Sequence, residues 1–247
     1  MNNRFYAPGA SKINLRVRLP AREATHLTKV LRLEIGSIIQ VFDGQGHEFR
    51  GTFARTDQDG TFIDTFEPIE PAPESPVSII LAQALLKGRK FDQVIRDATM
   101  LGVTAIQPLV TSFTDVSKTI IKRSSSQERW RRIAISSAKQ SGRAVVPTIE
   151  SPVSIEQHLT QHPSGRRIML VEPNIQASYK RLDSLSTDVV PSQAIVTIGP
   201  EGGWSNNELA TAQEEAWELL TLGSRTLRAD AAPVAAIAVF LFLWGDL

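Results

Sequence analysis

The residues best suited to hold a ligand lie between Ile195 and Ser205, where an apolar run ends in Gly-Pro-Glu-Gly-Gly-Trp. Residues 194–198 are short, apolar and rich in β-branched side chains, which predicts a buried strand. Ser205 and Glu208 have the spacing of a capping box, so a helix is predicted to run to about Trp217. Glycines let the backbone approach a ligand, and free amides at a helix start attract negative or electron-rich groups. The pattern fits a ligand site or, alternatively, a tight turn without a ligand, because it is neither a dinucleotide fingerprint nor a phosphate loop with its lysine.

A second glycine loop follows where the apolar residues 219–222 end at Gly223 and lead through Ser-Arg-Thr-Leu-Arg to Asp230. In open α/β sheets, ligands bind beyond the carboxyl ends of adjacent strands, so two neighbouring glycine loops predict one crevice. The ionisable side chains near these loops, which could move a proton or stabilise charge, are Glu201, Arg225, Arg228 and Asp230.

A third candidate is Arg143, which follows Gln140-Ser141-Gly142 at the end of a helix predicted over about residues 126–141. Glycine after the last turn lets the chain reverse, which would place Arg143 beside the helix end. An arginine fixed there could bind a phosphate or stabilise negative charge on a base. It could equally serve only to satisfy the last carbonyls of the helix.

The elements that must position these residues alternate between strand and helix. Strand patterns cover residues 77–86, 105–110 and 168–171, and a helix pattern covers residues 91–101. This alternation predicts an α/β domain with a largely parallel sheet.

The first 70 residues have a different pattern, with strands over 37–42, 47–54 and 61–66 separated by Asp- and Gly-rich turns. This pattern predicts a small antiparallel β-barrel. Residues 13–19 alternate strictly, so one more strand is expected there. Its predicted core side chains are Ile13, Leu15, Val17 and Leu19, and its predicted solvent-facing side chains are Arg16 and Arg18. A short helix is predicted to bury Ala24, Leu27, Val30 and Leu31 and to expose Arg22, Lys29 and Arg32.

Residues 67–76 contain four prolines and are predicted to be an extended linker. The expected domains are therefore residues 1–70 and residues 77–247.

Composition excludes several classes of protein. The 247 residues contain no cysteine, which removes disulfides, thiolate metal sites and any mechanism that uses a cysteine adduct. The longest apolar run, residues 231–244, is too short for a membrane span, and no signal peptide is expected, so the protein is predicted to be cytoplasmic. His158 and His162 have the spacing of helical metal ligands but lack a third ligand, so no metal is expected.

The net charge is only +1, but the charges are segregated. Residues 1–35 carry an excess of +5 and residues 118–143 an excess of +7, so the rest of the chain is acidic. This distribution predicts two basic surfaces for nucleic acid or, alternatively, two solvated basic faces.

The two glycine motifs, in this order and spacing, resemble the C-terminal signature of RsmE-type 16S rRNA (uracil-N3) methyltransferases, which are SPOUT, or trefoil-knot, enzymes. Residues 139–143, Lys-Gln-Ser-Gly-Arg, are similar to another element of that family. Residues 26–33, His-Leu-Thr-Lys-Val-Leu-Arg-Leu, with Gly36 and residues 42–44, Phe-Asp-Gly, resemble its PUA-like RNA-binding domain. The resemblance spans nearly the whole chain.

The resemblance implies a SPOUT-like knotted α/β domain after a PUA-like barrel, with S-adenosylmethionine as cofactor and a uridine N3 of 16S rRNA or the small ribosomal subunit as substrate. The expected catalytic residues are Arg143, Glu201 and Arg228, with Glu201 orienting the loop more than accepting a proton. The cofactor is expected to contact Leu170, Val171, Glu172, Ile198, Gly199, Pro200, Glu201, Gly202, Gly203, Leu222, Gly223, Leu227 and Arg228. RNA is expected to contact Arg16, Arg18, Arg22, Lys29, Arg32, Arg129, Arg131, Arg132, Gln140 and Arg143.

Two positions depart from the family pattern. Met100 precedes Leu101-Gly102 where the family usually has glutamate, and Asp230-Ala231-Ala232 replaces the usual Glu-Thr-Ala. The alternative function is therefore a non-catalytic RNA-binding factor for ribosome assembly with the same fold. The terminal helix predicted over residues 233–244 is apolar nearly all round, which predicts a homodimer.

Overall fold

A computed structural model describes residues 3–115, 124–161, 164–173, 175, 177–182 and 190–246. The chain divides into two units. The first unit takes residues 1–74 together with 135–146, and the second takes residues 75–134 and 147–247. The first unit is therefore built from two stretches of sequence, with about 60 residues of the second unit between them.

A five-stranded sheet forms most of the first unit. Its strands are β1 (Arg4–Tyr6), β2 (Arg16–Arg18), β3 (Ile38–Phe42), β4 (Glu48–Asp57) and β5 (Gly60–Ile69). They lie in the order β1-β3-β4-β5-β2, with β1 parallel to β3 and the other neighbours antiparallel. Side chains alternate across the pleat, so Val41, Phe53 and Ile63 enter one apolar core. The three strands predicted over residues 37–66 are confirmed.

The strand predicted over residues 13–19 is shorter than expected. Asn14 adopts a φ of 57°, which interrupts the extended backbone, and Ile13 is 41% exposed, so its predicted place in the core is wrong. Val17 is buried as predicted. Arg16 and Arg18 are both exposed on β2, which confirms the predicted solvent face.

The short helix also differs from its prediction. It begins as α1 (Ala21–Thr25) and continues into a π-helical turn at His26–Val30. Because a π-turn contains more residues than an α-turn, it rotates the side chains that follow away from the expected face. Leu27 is fully buried, but Val30 is 67% and Leu31 40% exposed, so their predicted burial is wrong.

The helix α3 (Ser124–Ser141) is followed by Gly142 with a φ of 83°, which confirms the predicted chain reversal. Its end is held within the first unit by Arg4. The Arg4 guanidinium donates to the backbone carbonyls of Ala138 and Arg143 at 3.0 and 2.8 Å. It also donates twice to the Glu48 carboxylate, at 2.7 and 2.9 Å. Both side chains of this ion pair are buried.

The second unit is an α/β layer structure. Its strands are β6 (Ser78–Ala84), β7 (Ala105–Val110), β8 (Thr148–Ile149), β9 (Val153–Ser154), β10 (Arg166–Leu170), β11 (Lys180–Arg181), β12 (Gln193–Ile198) and β13 (Glu218–Thr221). They lie in the order β11-β13-β10-β12-β6-β7-β8, with β9 also on β7, and every pairing is parallel. The predicted parallel α/β sheet is confirmed. Its other helices are α2 (Lys90–Met100), α4 (Ile155–Thr160), α5 (Asn206–Glu214) and α6 (Ala232–Leu243).

The predicted capping box at the start of α5 is confirmed. The Ser205 hydroxyl accepts from the Glu208 amide at 3.3 Å, and the Glu208 carboxylate accepts from the Ser205 amide at 2.7 Å. The helix ends at Glu214, earlier than the predicted Trp217, because Ala216 adopts a φ of 56° and turns the chain towards β13.

The apolar helix α6 packs one side into the unit, where Ile237 and Phe240 are fully buried. Its opposite side is partly open, and Phe242 is 69% exposed. Within the described ranges, no helix has the length and apolar character needed to cross a membrane.

Candidate functional site

Three loops of the second unit surround a cavity of about 330 Å³. Each loop follows one of the adjacent parallel strands β13, β10 and β12, so the cavity lies where their carboxyl ends meet. Its walls come from residues 170–173, 198–201, 203–204, 221–222 and 225–230, with Lys90 and Ala232. These segments coincide with the three loops in which sequence analysis places the cofactor, and every residue of that prediction except Gly202 and Gly223 lines the cavity.

The two exceptions lie beside the cavity. A Cβ atom on Gly202 would stand 2.8 Å from the Phe113 Cβ, so this glycine permits close packing behind the loop. Gly223, with a φ of 144°, lines a separate cavity with Arg181 and Val239.

Trp204 connects two of the loops. Its indole nitrogen donates to the Leu170 carbonyl at 2.8 Å. A Cβ atom on Gly199 would approach the Trp204 ring to 3.1 Å, so glycine is needed for the loop to lie against the indole. Gly203 has a φ of 70°, and its amide closes a turn onto the Pro200 carbonyl at 3.1 Å. The glycine motif thus keeps its backbone against the indole ring of Trp204, a contact that the sequence did not predict.

Gln83 supports the same loop from the end of β6. Its side-chain amide donates to the Ala84 carbonyl at 3.1 Å and to the Gly199 carbonyl at 3.3 Å. The side chain is fully buried, and its oxygen has no hydrogen-bond partner among the described residues. Gln83 therefore fixes the position of the loop carbonyls that precede the glycine turn.

Glu201 lies at the rim of the cavity, where its carboxylate accepts from the Lys90 ammonium at 2.7 Å. Partial burial would raise the pKa of Glu201, but hydrogen bonds from Lys90 and from the backbone amides of Glu201 and Lys87 outweigh it. The pKa is therefore lowered from its ordinary value of 4.5. A carboxylate whose pKa is lowered in this way is a poor proton acceptor at neutral pH and a good structural anchor.

Arg228 and Asp230 form a pair on the opposite loop, with guanidinium-to-carboxylate distances of 3.0 and 2.8 Å, in which the arginine is exposed and the aspartate is half-buried. The hydrogen bond from Arg228 lowers the pKa of Asp230. The Arg228 side chain is 75% exposed and lines the cavity, so it can reach a second anion there without being buried.

Arg143 is placed differently. It belongs to the first unit and is buried, and its guanidinium donates to the Glu74 carboxylate through Nε at 3.1 Å and through a second nitrogen at 2.5 Å. The sequence predicts that Arg143 could bind a phosphate or a charged base. In the structure, the Glu74 carboxylate already neutralises its charge. A substrate would have to compete with Glu74 for it.

The remaining predicted RNA contacts are surface side chains. Within the first unit, Arg16 pairs with Asp64 at 2.7 Å, and Arg18, Arg22, Lys29, Arg32 and Gln140 are exposed. Within the second unit, Arg129 pairs with Asp92, and Arg131 and Arg132 are exposed. Lys118, Lys122 and Arg123, which contribute to the basic excess, lie outside the described residues.

The histidine pair offers no metal site on the described part of the chain. The His158 ring bonds the Thr197 hydroxyl at 2.9 Å and packs 5.2 Å from the Trp217 ring, whereas His162 lies outside the described residues. No group of three possible ligands occurs in the ranges that the structure describes.

Sequence reasoning missed Lys90 and Trp204 at this cavity. Trp204 lies within the glycine motif. Its indole N–H, a hydrogen-bond donor that needs a partner when buried, was the sequence signal that could have identified it. Lys90 follows β6 by several residues, and only the pairing of β6 with β12 brings it to the glycine loop.

The chain matches two family models. One is described as an RNA methyltransferase domain and matches residues 73–241, and the other is described as an RNA methyltransferase PUA domain and matches residues 19–61.

Among curated proteins, it is similar to ribosomal RNA small subunit methyltransferase E of Synechocystis sp., with 33% identity over 92% of this chain and 73% of the relative. The protein of the same name from Rickettsia conorii is 29% identical over 96% of this chain and 93% of its own.

Two solved structures resemble the whole chain. A Legionella pneumophila protein described as a methyltransferase, solved with bound S-adenosylmethionine, has a TM-score of 0.90 and 29% identity. A ribosomal RNA small subunit methyltransferase E from Neisseria gonorrhoeae, bound to S-adenosylmethionine, has a TM-score of 0.87 and 31% identity. Both comparisons cover 100% of each chain.

Proposed function

The chain belongs to the RNA methyltransferase family, and from this membership we infer that it transfers a methyl group from S-adenosylmethionine to N3 of a uridine in 16S rRNA. One observation of this chain's own residues supports the inference. The three loops that the family resemblance assigns to the cofactor form the walls of one cavity at the carboxyl edge of a parallel sheet.

The residues present fit this cofactor. Gly199 leaves space under the Trp204 ring that a Cβ would fill, and Gly203 takes a φ that favours glycine. Leu170, Ile198 and Leu227 provide apolar wall, while Glu172 and the loop backbone provide polar groups. We propose that these groups hold the adenine, ribose and methionine parts, and that Gly202 and Gly223 shape the loops from outside.

S-adenosylmethionine supplies a methyl group on a positively charged sulfur, so the protein's main task is to align the uracil nitrogen with it. That nitrogen carries a proton at neutral pH, and negative charge develops on the base when the proton leaves. We propose that Arg228 stabilises this charge, because its exposed guanidinium lines the cavity. We propose that Glu201 orients the loop, since its pKa is lowered and its oxygens are already paired.

We also propose a catalytic role for Arg143, because it belongs to the Gln-Ser-Gly-Arg element that resembles the family. Its role there would be to bind the target base or a neighbouring phosphate, which requires exchange of its Glu74 partner for the substrate.

We also propose the domain bounds, the knot and the barrel that the family resemblance implies. Family membership favours a trefoil knot in a catalytic domain at residues 77–247 and a PUA-like barrel at residues 1–70, joined by the proline-rich segment at 67–76, whose first three residues continue β5. The exposed arginines of β2 and of α3 suit phosphate contacts with the 16S rRNA or the small ribosomal subunit. Because this substrate belongs to ribosomes, the cytoplasm is the proposed site of action.

A homodimer is proposed for the apolar helix α6. Phe242 is 69% exposed on a helix without charged side chains, and such a surface gains free energy when a partner covers it. Light scattering at micromolar concentration tests this proposal, and a monomer would contradict it.

The cofactor proposal is tested by calorimetric titration of S-adenosylhomocysteine into the wild type, Gly199→Val and Gly203→Val. We expect binding by the wild type and a loss of about 100-fold or more in both variants, because branched side chains collide with Trp204 or require strained backbone. Equal binding by all three proteins would reject this cavity as the site.

The reaction is tested by mass spectrometry of rRNA nucleosides from a deletion strain. Loss of one N3-methyluridine, restored by the wild-type gene, supports the enzyme. An unchanged profile, together with RNA binding by the purified protein, would support the non-catalytic assembly factor instead.

A further inference from the structure

The turn Lys87-Gly88-Arg89-Lys90, here called the basic turn, stands at the same sheet edge as the cavity. β6 is paired with β12 so that Gln83 lies opposite Ile198, and the chain that leaves β6 therefore emerges beside the glycine loop. Gly88 has a φ of 64°, and the Lys90 amide closes the turn onto the Lys87 carbonyl at 3.4 Å. Three cations in four residues are thereby presented at the cavity mouth.

The glycine loop holds this turn in place. The Glu201 carboxylate accepts from the Lys90 ammonium at 2.7 Å. One anion of the cofactor loop thus holds the Lys90 end of the basic turn. Lys90 is already paired with Glu201, and it lines the cavity.

The other two cations face water. Arg89 is exposed, and no carboxylate of the described residues pairs with its guanidinium. The Lys87 side chain is 59% exposed, and its ammonium contacts the Asp115 carboxylate at 2.6 Å. The Asp115 side chain is itself 79% exposed, so this pair is weak and easily exchanged for another anion.

We propose that Lys87 and Arg89 bind a backbone phosphate of the RNA strand next to the target nucleotide. This rests on the proposed function, because a base that enters the cavity leaves its phosphates at the mouth, where the basic turn lies. A planar guanidinium binds phosphate oxygens in pairs, and the neighbouring ammonium adds a point charge. Asp115 occupies Lys87 in the absence of RNA and is displaced when the phosphate binds.

The proposal is tested with the full-length protein and unmethylated small ribosomal subunits from a deletion strain. For Lys87→Ala/Arg89→Ala we expect KM for the subunit to rise roughly ten-fold while kcat stays close to the wild-type value. The dependence of log affinity on log salt for a 16S rRNA transcript should flatten by about 0.7 for each lost contact to single-stranded RNA.

Two further variants make the test specific. Arg96→Ala removes another exposed arginine, seven residues after Arg89 and about 10 Å further along the helix axis, and it should match the wild type. Asp115→Asn removes the competing carboxylate and should tighten RNA binding by roughly two-fold to three-fold. Affinity for S-adenosylhomocysteine should be the same in all of these proteins, because neither Lys87 nor Arg89 lines the cavity.

Wild-type RNA affinity in Lys87→Ala/Arg89→Ala, or weaker binding in Asp115→Asn, would overturn the proposal. The proposed function fails separately, through a wild type that binds RNA but does not methylate it. In that event the binding comparison among the variants still decides whether the basic turn contacts phosphate.

Discussion

The end of α3 in the first unit and the rim of the cavity in the second unit use the same chemical group in opposite ways. At the end of α3, Arg4 and Glu48 pair with side chains only 9% and 6% exposed, and backbone carbonyls satisfy the rest of the guanidinium. At the rim, Arg228 pairs with Asp230 while 75% exposed. Water competes for the hydrogen bonds of the Arg228–Asp230 pair, and it is excluded from those of the Arg4–Glu48 pair.

This contrast in burial separates arginines that are available for substrate from those that are not. Removing one partner of a buried pair leaves an uncompensated charge, so such pairs cannot exchange partners without a large cost. Exposed pairs contribute little to stability and exchange readily. Arg4 is therefore structural, the exposed Arg228 is available to bind a further anion, and Arg143, buried but paired with a 29% exposed Glu74, lies between these limits.

The largest expected effect comes from Arg4→Ala. This change leaves Glu48 buried without a cation and releases the carbonyls at the end of α3, so the first unit should lose about 3–5 kcal/mol of stability. Hydrogen exchange of the β3 and β4 amides measures the loss directly.

Arg16→Ala is the matched control, because Arg16 makes the same two-bond contact with Asp64 in an exposed position. It should leave exchange in β3 and β4 nearly unchanged. Equal losses in the two variants would show that burial does not distinguish these pairs.

Arg143→Ala should have the next largest effect on stability, about 1–3 kcal/mol, because a buried guanidinium loses its hydrogen bonds to Glu74. Glu74→Gln weakens the same contact but keeps the arginine. If Arg143 also acts on the target base, the methylation rate at saturating RNA should fall in Arg143→Ala and not in Glu74→Gln. Full recovery of the Arg143→Ala rate at high RNA would contradict the catalytic role.

Glu201→Gln should reduce cofactor affinity several-fold with little effect on stability, because it loosens the contact between the glycine loop and Lys90. Since the folded pKa of Glu201 is lowered, its stabilisation is present above pH 4.5 and is lost as pH falls through the lower folded value. Calorimetry with S-adenosylhomocysteine should therefore show flat affinity at neutral pH and an acid limb below pH 4.5.

Glu201→Gln should remove that acid limb from the affinity profile. An activity profile that titrates near neutral pH in the wild type and not in Glu201→Gln would instead identify Glu201 as the proton acceptor.

The smallest effect on stability is expected for Arg228→Ala, whose side chain is exposed, and its unfolding midpoint should match the wild type. Its methylation rate at saturating RNA should nevertheless fall about 100-fold if the guanidinium stabilises charge on the base. Asp230→Asn breaks the same pair but keeps the guanidinium, so it should retain most of the rate. A normal rate in Arg228→Ala would remove this residue from the mechanism.

Local signals predicted much of the fold. The capping box of Ser205 and Glu208, the glycine after α3 and the apolar strands of the parallel sheet all depend on residues close in sequence, and the structure confirms them. The errors at Ile13, Val30 and Leu31 have a different cause. One residue with positive φ and one π-turn changed the side-chain period, and neither has a strong sequence signature.

The site was predictable only in part for a similar reason. The loops that line the cavity carry their own glycine signals, whereas Lys90 reaches it through strand pairing and Arg143 is paired with Glu74 through tertiary packing. Periodicity and spacing do not encode which distant carboxylate a given arginine will meet.

The division of the first unit into residues 1–74 and 135–146 has a consequence for folding during synthesis. Arg4 emerges from the ribosome early, but the carbonyls of Ala138 and Arg143 that it binds emerge more than 130 residues later. At about 5–20 residues per second, the intervening 60 residues of the second unit delay completion by about 3–12 s. The nascent first unit must wait through that interval without the helix end whose carbonyls Arg4 binds, so any chaperone dependence of this chain should concentrate there.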